Sequence, residues 1–341
     1  MTVSKTVAFS RQATNIFFHI LTRCNLNCRH CYINPDQHGH QTLPLSTIER
    51  WLKAFENRAR QANLVLLGGE PTLHPDLAAV VTSACGMGFK SITIDTNGYL
   101  FHDILDRVTP REVDFFSFSL DGATAATNDR IRGKGSYGAC LDGIRRAVEA
   151  GFDTSMIYTV SRANLHELAA MVPLVSGLGV KRFFIQVIGL RGSSAQLEGE
   201  SPPGDIAPVS REEWLERIPA VAGHFAERGI SVAYPRVFLE PDELFECAGR
   251  VADNYFIFPN GRVYRCPLCE DYPIHSLMFR NDAIVAAPRL NEADLFTLDI
   301  AEGCVMNKLI QPGNLAYDKA GRPLYQIACC LLKEEVPVSE P

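Results

Sequence analysis

Cys24, Cys28 and Cys31 lie within a run of eight residues, in Arg23-Cys24-Asn25-Leu26-Asn27-Cys28-Arg29-His30-Cys31-Tyr32. Thiolates this dense hold a soft metal or an iron–sulfur cluster. Three of them on a four-iron cluster leave one iron without a protein ligand, free to bind and activate a small molecule. A zinc site built from Cys28 and Cys31 with His38 and His40 is the competing arrangement, because paired Cys and paired His suit tetrahedral zinc. Six more cysteines follow residue 246: Cys247, Cys266, Cys269, Cys304, Cys329 and Cys330. The stretch between Cys140 and Cys247 has none, which separates two metal regions. Cys85 and Cys140 stand alone in helical patterns and read as buried, apolar-like side chains. Residues 1–12 lack the apolar core of a signal peptide, so a cytoplasmic setting is expected. In such a reducing compartment, 11 cysteines serve metals better than disulfides.

Thiols need elements that present them. The chain has 341 residues, 46% of them hydrophobic, enough for one large domain and a smaller one. The net charge of −6 weighs against nucleic acid or an anionic membrane as partner. No run is long and apolar enough for a membrane span. From residue 15 to 190, short apolar runs alternate with amphipathic ones. Strands are expected at 15–21, 63–67, 91–95, 115–120, 153–160 and 182–188. Helices are expected at 46–61, 75–87, 137–150 and 165–176, with a weaker pattern at 100–108. Ser46 with Glu49 reads as a capping box at a helix start, and Gly151 and Gly179 as helix stops. The alternation predicts an α/β fold with parallel strands, a partial (β/α)6 TIM-like barrel whose functional residues collect at the C-terminal strand ends. A Gly-, Ser- and Pro-rich stretch over 191–210 reads as a loop, followed by a helix over 211–228 that Ser210 and Glu213 cap. After 235, two apolar-alternating arms flank Asn260-Gly261, a hairpin signal that delivers Cys266 and Cys269 at its end. The expected organisation is a lead-in (1–14), a barrel core (15–190), a loop and linking helix (191–234) and a small C-terminal iron–sulfur domain (235–341) with a frayed tail from 333.

Cys-x3-Cys-x2-Cys followed by Tyr32 resembles the radical S-adenosylmethionine (SAM) superfamily. The resemblance extends to Gly68-Gly69-Glu70-Pro71, Thr96-Asn97-Gly98 and Ser119-Leu120-Asp121-Gly122, each at an expected strand end. It implies that Cys24, Cys28 and Cys31 hold a 4Fe–4S cluster whose open iron binds the amino and carboxylate groups of SAM. It further places the carbonyls of Gly68 and Gly69 on the SAM ammonium, with Glu70 and Pro71 in the same loop. Ser119 and Asn97 are expected along the SAM pocket, and Tyr32 beside the adenine. Arg130 or Arg132 is expected to bind a carboxylate of SAM or of the substrate. Read without the resemblance, Gly68-Gly69 is a turn ending a strand, Asp121-Gly122 a turn pair, and these arginines solvated surface groups. Thr159, Asn164 and Gln186 are further candidates at later strand ends.

Cys247 followed by Asn260-Gly261-x-Val263-Tyr264-x-Cys266 resembles the opening of the SPASM and twitch extensions of that superfamily, which hold auxiliary clusters. The compact cysteine run that completes a SPASM domain is missing. One auxiliary cluster is expected, on Cys247, Cys266, Cys304 and Cys330; a structural zinc on the Cys266-Pro-Leu-Cys269 knuckle is the alternative. The resemblance thus implies an oxidoreductase-type enzyme that reductively cleaves SAM to a 5′-deoxyadenosyl radical and abstracts hydrogen from its substrate. A peptide or protein maturase is the first expectation and an enzyme of small molecules (tetrapyrrole, sugar or nucleoside) the second. Ferredoxin or flavodoxin would donate electrons. A non-catalytic iron–sulfur electron carrier is the alternative of a different class.

Overall fold

A computed structural model describes residues 3–4, 13–195, 206–288 and 290–338. The middle of the expected 191–210 loop, most of the lead-in and the last three residues lie outside these. The six strands expected from the alternation form as Thr14–His19 (β1), Ala62–Leu67 (β2), Ser91–Thr96 (β3), Phe115–Ser119 (β4), Thr154–Val160 (β5) and Arg182–Val187 (β6). They pair in parallel, in chain order. Two further parallel strands extend the series: Ser231–Pro235 (β7) joins β6, and Asp253–Ile257 (β8) joins β1. Arg262–Tyr264 (β9), Leu277–Arg280 (β10) and Ala283–Ala286 (β11) then add antiparallel beyond β8, and Lys333–Val336 (β12) adds antiparallel beyond β7. The result is one twelve-stranded sheet, β11-β10-β9-β8-β1-β2-β3-β4-β5-β6-β7-β12.

Period-two alternation sorts the strands into two faces. Ile16 and Phe18, Leu64 and Leu66, Ile94, Phe118, Tyr158 and Ile185 face the helices and are buried in the main core. The opposite face carries His19, Asp95, Ser117, Ser119, Thr159 and Gln186, the polar set for a site. Helices Leu45–Lys53 (α1), Leu77–Met87 (α2), Ser136–Glu149 (α4), Met171–Gly177 (α5) and Arg211–Ala226 (α6) cover the apolar face, while Ala125–Arg132 (α3) buries Ile131 in a separate small cluster with Ala163, Ile188 and Ile206. A second core gathers Leu239, Phe256, Phe258, Tyr264, Leu268 and Met306 around the later cysteines.

Several expectations are corrected. The tail from 333 is not frayed at its start, because β12 bonds along β7 with Lys333 opposite Pro235. Ser46 is no N-cap: α1 starts after Pro44, which makes no side-chain cap, and Glu49 accepts from Ser83 on α2 instead. The 100–108 pattern breaks into two short turns, because Leu100, His102 and Asp103 all take positive φ. Helix α3 was not foreseen; Thr124 caps it and Gly133 ends it. The Ser210–Glu213 capping box and the Asn260-Gly261 hairpin form as expected, with Gly261 at φ 84°. Among the described residues no helix is long and apolar enough to cross a membrane.

Candidate active site

The loop after β1 carries Cys24, Cys28 and Cys31, all half-buried. Two neighbouring strand-end loops brace it. Gly69 N–H donates to the Leu21 carbonyl and Glu70 N–H to that of Arg23, both at 3.0 Å. A Cβ at Gly69 would sit 2.4 Å from the carbonyl oxygens of Thr22 and Arg23, so the close seating of the two loops demands glycine there. Glu70 is 1% exposed, and its carboxylate is fully engaged. Oε1 accepts from the Thr72 N–H and hydroxyl and from Thr96 Oγ1, while Oε2 accepts from Asn97 N–H at 2.7 Å. Glu70 also caps the short 3-10 turn that Pro71 opens, the usual roles of an acceptor at N-cap and proline at N1. Asn97 reaches the cysteine loop itself: its amide donates to Asn25 Oδ1 at 2.7 Å and lies 3.8 Å from Cys24 Sγ.

The third brace was not legible in sequence. Asp121, fully buried after β4, lies 2.6 Å from Arg132 Nε and 3.1 Å from His30 Nε2, and accepts from Thr159 N–H. Burial pushes its carboxyl up, but Arg132, His30 and the Thr159 bond outweigh this and bring it down to about 2. Helix α3 thereby docks on the cysteine loop: Arg29 N–H donates to the Ile131 carbonyl, and Cys28 Sγ lies 3.7 Å from that of Arg132. Of the two arginines considered, Arg130 is exposed and donates to the Ala163 carbonyl, whereas Arg132 is buried at the thiols. Ser119 sits at the end of β4, half-buried on the polar face.

Tyr32 turns its hydroxyl to His19 Nε2 at 2.7 Å and its ring face to the Arg191 guanidinium at 4.7 Å. His19 is neutral: burial lowers it to about 3, and its Nδ1 bonds the Ile257 carbonyl. His38 uses both ring nitrogens, accepting from Asn34 N–H and donating to the Glu270 carbonyl, and stacks on Phe258. That removes it as a zinc ligand beside Cys28 and Cys31. Asp95, which the sequence did not single out, projects from β3 onto the polar face. Burial raises it to about 7, nearby Glu70 adds to this, and a hydrogen bond from Ser117 opposes it.

The later cysteines converge although 83 residues separate the first from the last. Cys269 lies close enough to Cys266, and Cys330 to Cys329, for each to shift its partner's ionisation. Cys304 is close enough to feel Cys329, Cys266 and Cys247 electrostatically. Cys269 and Cys329, left spare in the sequence expectation, therefore belong to the same thiol group.

The triad loop fits an iron–sulfur cluster on two observations. Burial, with a smaller push from neighbouring thiols, raises Cys24 to about 11 and Cys28 to about 12, although Arg132 opposes it at Cys28. A packed set of buried, mutually repelling thiols needs a cation to become thiolate. His30 Nδ1 is buried beside the triad without a hydrogen-bond partner.

Residues 18–175 match the family described as the Radical SAM superfamily. The chain is 29% identical over 188 residues to a pre-heme d1 synthase of Dinoroseobacter shibae, covering 54% of this chain and 46% of that protein. It is 25% identical over 214 residues to a probable GTP 3',8-cyclase of Saccharolobus islandicus, covering 62% and 67%. The chain thus matches about half the length of the first relative and two thirds of the second. Streptococcus suis SuiB bound to its precursor peptide SuiA superposes at a TM-score of 0.60 with 11% identity, over 86% of this chain and 66% of SuiB. Native anSMEcpe with bound AdoMet superposes at 0.54 with 12% identity, over 90% and 85%. These two share the fold. The three thiols on the loop after β1 and the bracing loops at the ends of β2, β3 and β4 all lie within residues 18–175, the stretch that matches the radical SAM superfamily.

Proposed function

We propose that this chain is an enzyme that reductively cleaves SAM and uses the product to remove hydrogen from a small-molecule substrate. The observation that carries the reading is the triad loop, braced by Gly69, Glu70, Asn97 and the Asp121–Arg132 pair beside a polar sheet face. When bound, a 4Fe–4S cluster on Cys24, Cys28 and Cys31 supplies the low-potential electron, and SAM the 5′-deoxyadenosyl group that takes the hydrogen. The chain's own residues do the rest. Gly69 and Glu70 hold the β2 loop against the triad, Asn97 orients Asn25 and Cys24, and Asp121 with Arg132 keeps α3 closed over Cys28. Ser119, Asp95, Thr159 and Gln186 line the face on which substrate would lie, with Asp95 raised into the range where it exchanges a proton near neutrality.

A small molecule is favoured over a peptide because the curated relatives quoted above are named for a heme precursor and a nucleotide, whereas the peptide-bound SuiB structure speaks for fold alone. The six later thiols support an auxiliary iron–sulfur cluster in a SPASM/twitch-like region, with Cys247, Cys266, Cys304 and Cys330 as its ligands. Ferredoxin or flavodoxin is the proposed electron donor and the cytoplasm the proposed setting.

The test is anaerobic reconstitution with iron and sulfide, followed by dithionite and SAM, with 5′-deoxyadenosine as the readout. Product well above that of Cys28→Ala is expected; equal product in both would overturn the reading. Iron near four per chain together with bound zinc would refute the auxiliary cluster alone.

A further inference from the structure

The segment after β6 touches both thiol regions at once. Arg191 Nη1 donates to the Pro267 carbonyl at 2.5 Å and lies 3.1 Å from Glu270 Oε2. Pro267 stands between Cys266 and Cys269, and Glu270 follows directly. The same guanidinium stacks on Tyr32, the residue after Cys31. Next along the chain, Gly192 N–H donates to Asp271 and Ser193 N–H to the Cys31 carbonyl, both at 2.8 Å. Gly192 takes φ +54°, and a Cβ there would stand 2.3 Å from the Cys31 oxygen, so the seat on the triad loop is tight. Among the described residues of this segment, Arg191 is the one side chain that contacts both thiol-bearing loops, and the Glu270 carboxylate it pairs is nearly inaccessible at 3% exposure.

We propose that Arg191 is a positioning residue that locks the Cys31–Tyr32 turn and the Cys266–Cys269 turn into one unit, so that a change at either thiol region is felt at the other. The planar guanidinium suits this because its edge serves a carbonyl and a carboxylate while its face takes an aromatic ring. A lysine ammonium offers a point charge and no face. Removing the guanidinium also leaves the buried Glu270 carboxyl without this hydrogen-bond partner. Coupling of two occupied cluster sites rests on the function proposed above; the mechanical link does not.

The full-length apo protein, reduced and anaerobic, is pulsed with iodoacetamide, and modification of each cysteine is followed by mass spectrometry. In Arg191→Gln, labelling of Cys31 and of the Cys266/Cys269 pair is expected to rise together by about tenfold, the effect of one lost charged hydrogen bond on local opening. Cys85, on α2 and remote from the link, keeps its wild-type rate. Arg191→Lys, which keeps the charge, is expected to raise both regions by a smaller factor. It also decides the matter if Arg191→Gln exposes every thiol through unfolding. A rise confined to one region, or none in either variant with Cys85 protected, overturns the proposal. After reconstitution, Cys266→Ala should alter the electron paramagnetic resonance spectrum of the reduced triad cluster in the wild-type background and leave it unchanged in Arg191→Gln. Four irons per wild-type chain would refute the second cluster while the labelling result still decides the link.

Discussion

Replacing Asp121 by asparagine tests how the triad loop is held. The substitution keeps shape and keeps an oxygen for the Thr159 N–H, but it removes the charge that lies 2.6 Å from Arg132 Nε. Arg132 is 8% exposed, so solvent can replace little of the lost charge. Breaking a buried pair by neutralising one partner costs about 3–5 kcal/mol. The contact is close as an ion pair yet not aligned as a hydrogen bond, which argues for the lower end. The pKa gives a second estimate: bringing Asp121 from 3.8 to about 2 corresponds to about 2 kcal/mol of stability at neutral pH. The two agree on roughly 2–3 kcal/mol, or about 1 M in the urea midpoint at a slope near 3 kcal/mol/M. A carboxylate held below its unfolded value stabilises above that value and loses the contribution as pH falls. Wild-type apo protein should therefore lose this share between about pH 5 and pH 2, and the variant should show a flatter acid limb. Asp121→Asn/Arg132→Leu should recover most of the loss, because the cost lies in the stranded charge. A single variant within 0.5 kcal/mol of wild type at pH 7, against the ~3 kcal/mol of a broken buried pair, would refute the reasoning. So would a double variant no more stable than the single.

Gly69→Ala places a methyl 2.4 Å from two backbone carbonyls. It should cost about 2–4 kcal/mol by overpacking and two stretched hydrogen bonds, read in urea unfolding of the apo protein. Glu70→Gln turns an amide toward the Asn97 N–H, donor facing donor, and should cost about 2 kcal/mol; the same measurement checks it, and a neutral outcome would mean Glu70 is not the latch between the β2 and β3 loops. Asp95 is raised to about 7, so its contribution is fully present below its unfolded value and lost as pH rises through 7. Asp95→Asn should abolish that decline, leaving the variant more stable than wild type at pH 8 once each is referred to pH 4, as followed by thermal unfolding.

The amino-acid sequence by itself determined what is local. The spacing of Cys24, Cys28 and Cys31, the period-two runs from β1 to β6, the Ser210 capping box and the Asn260-Gly261 hairpin are each encoded within a dozen residues, and all were legible. So was the placement of Gly68-Gly69, Thr96-Asn97 and Ser119 at strand ends, since a loop motif must follow the strand that presents it. Pairing across long separations has no such local signature. Asn15 meets Asn254 across 239 residues as β8 joins β1, and Arg191 meets Glu270 across 79. A short run such as Ser231–Pro235 or Lys333–Val336 becomes a strand because an edge is waiting for it, not through its own propensity. Choosing Arg132 over Arg130 depended on the phase of α3, which the sequence pattern did not reveal. The partnership of His30 with Asp121, and the gathering of six cysteines between 247 and 330, depended on packing of elements that the chain itself keeps far apart.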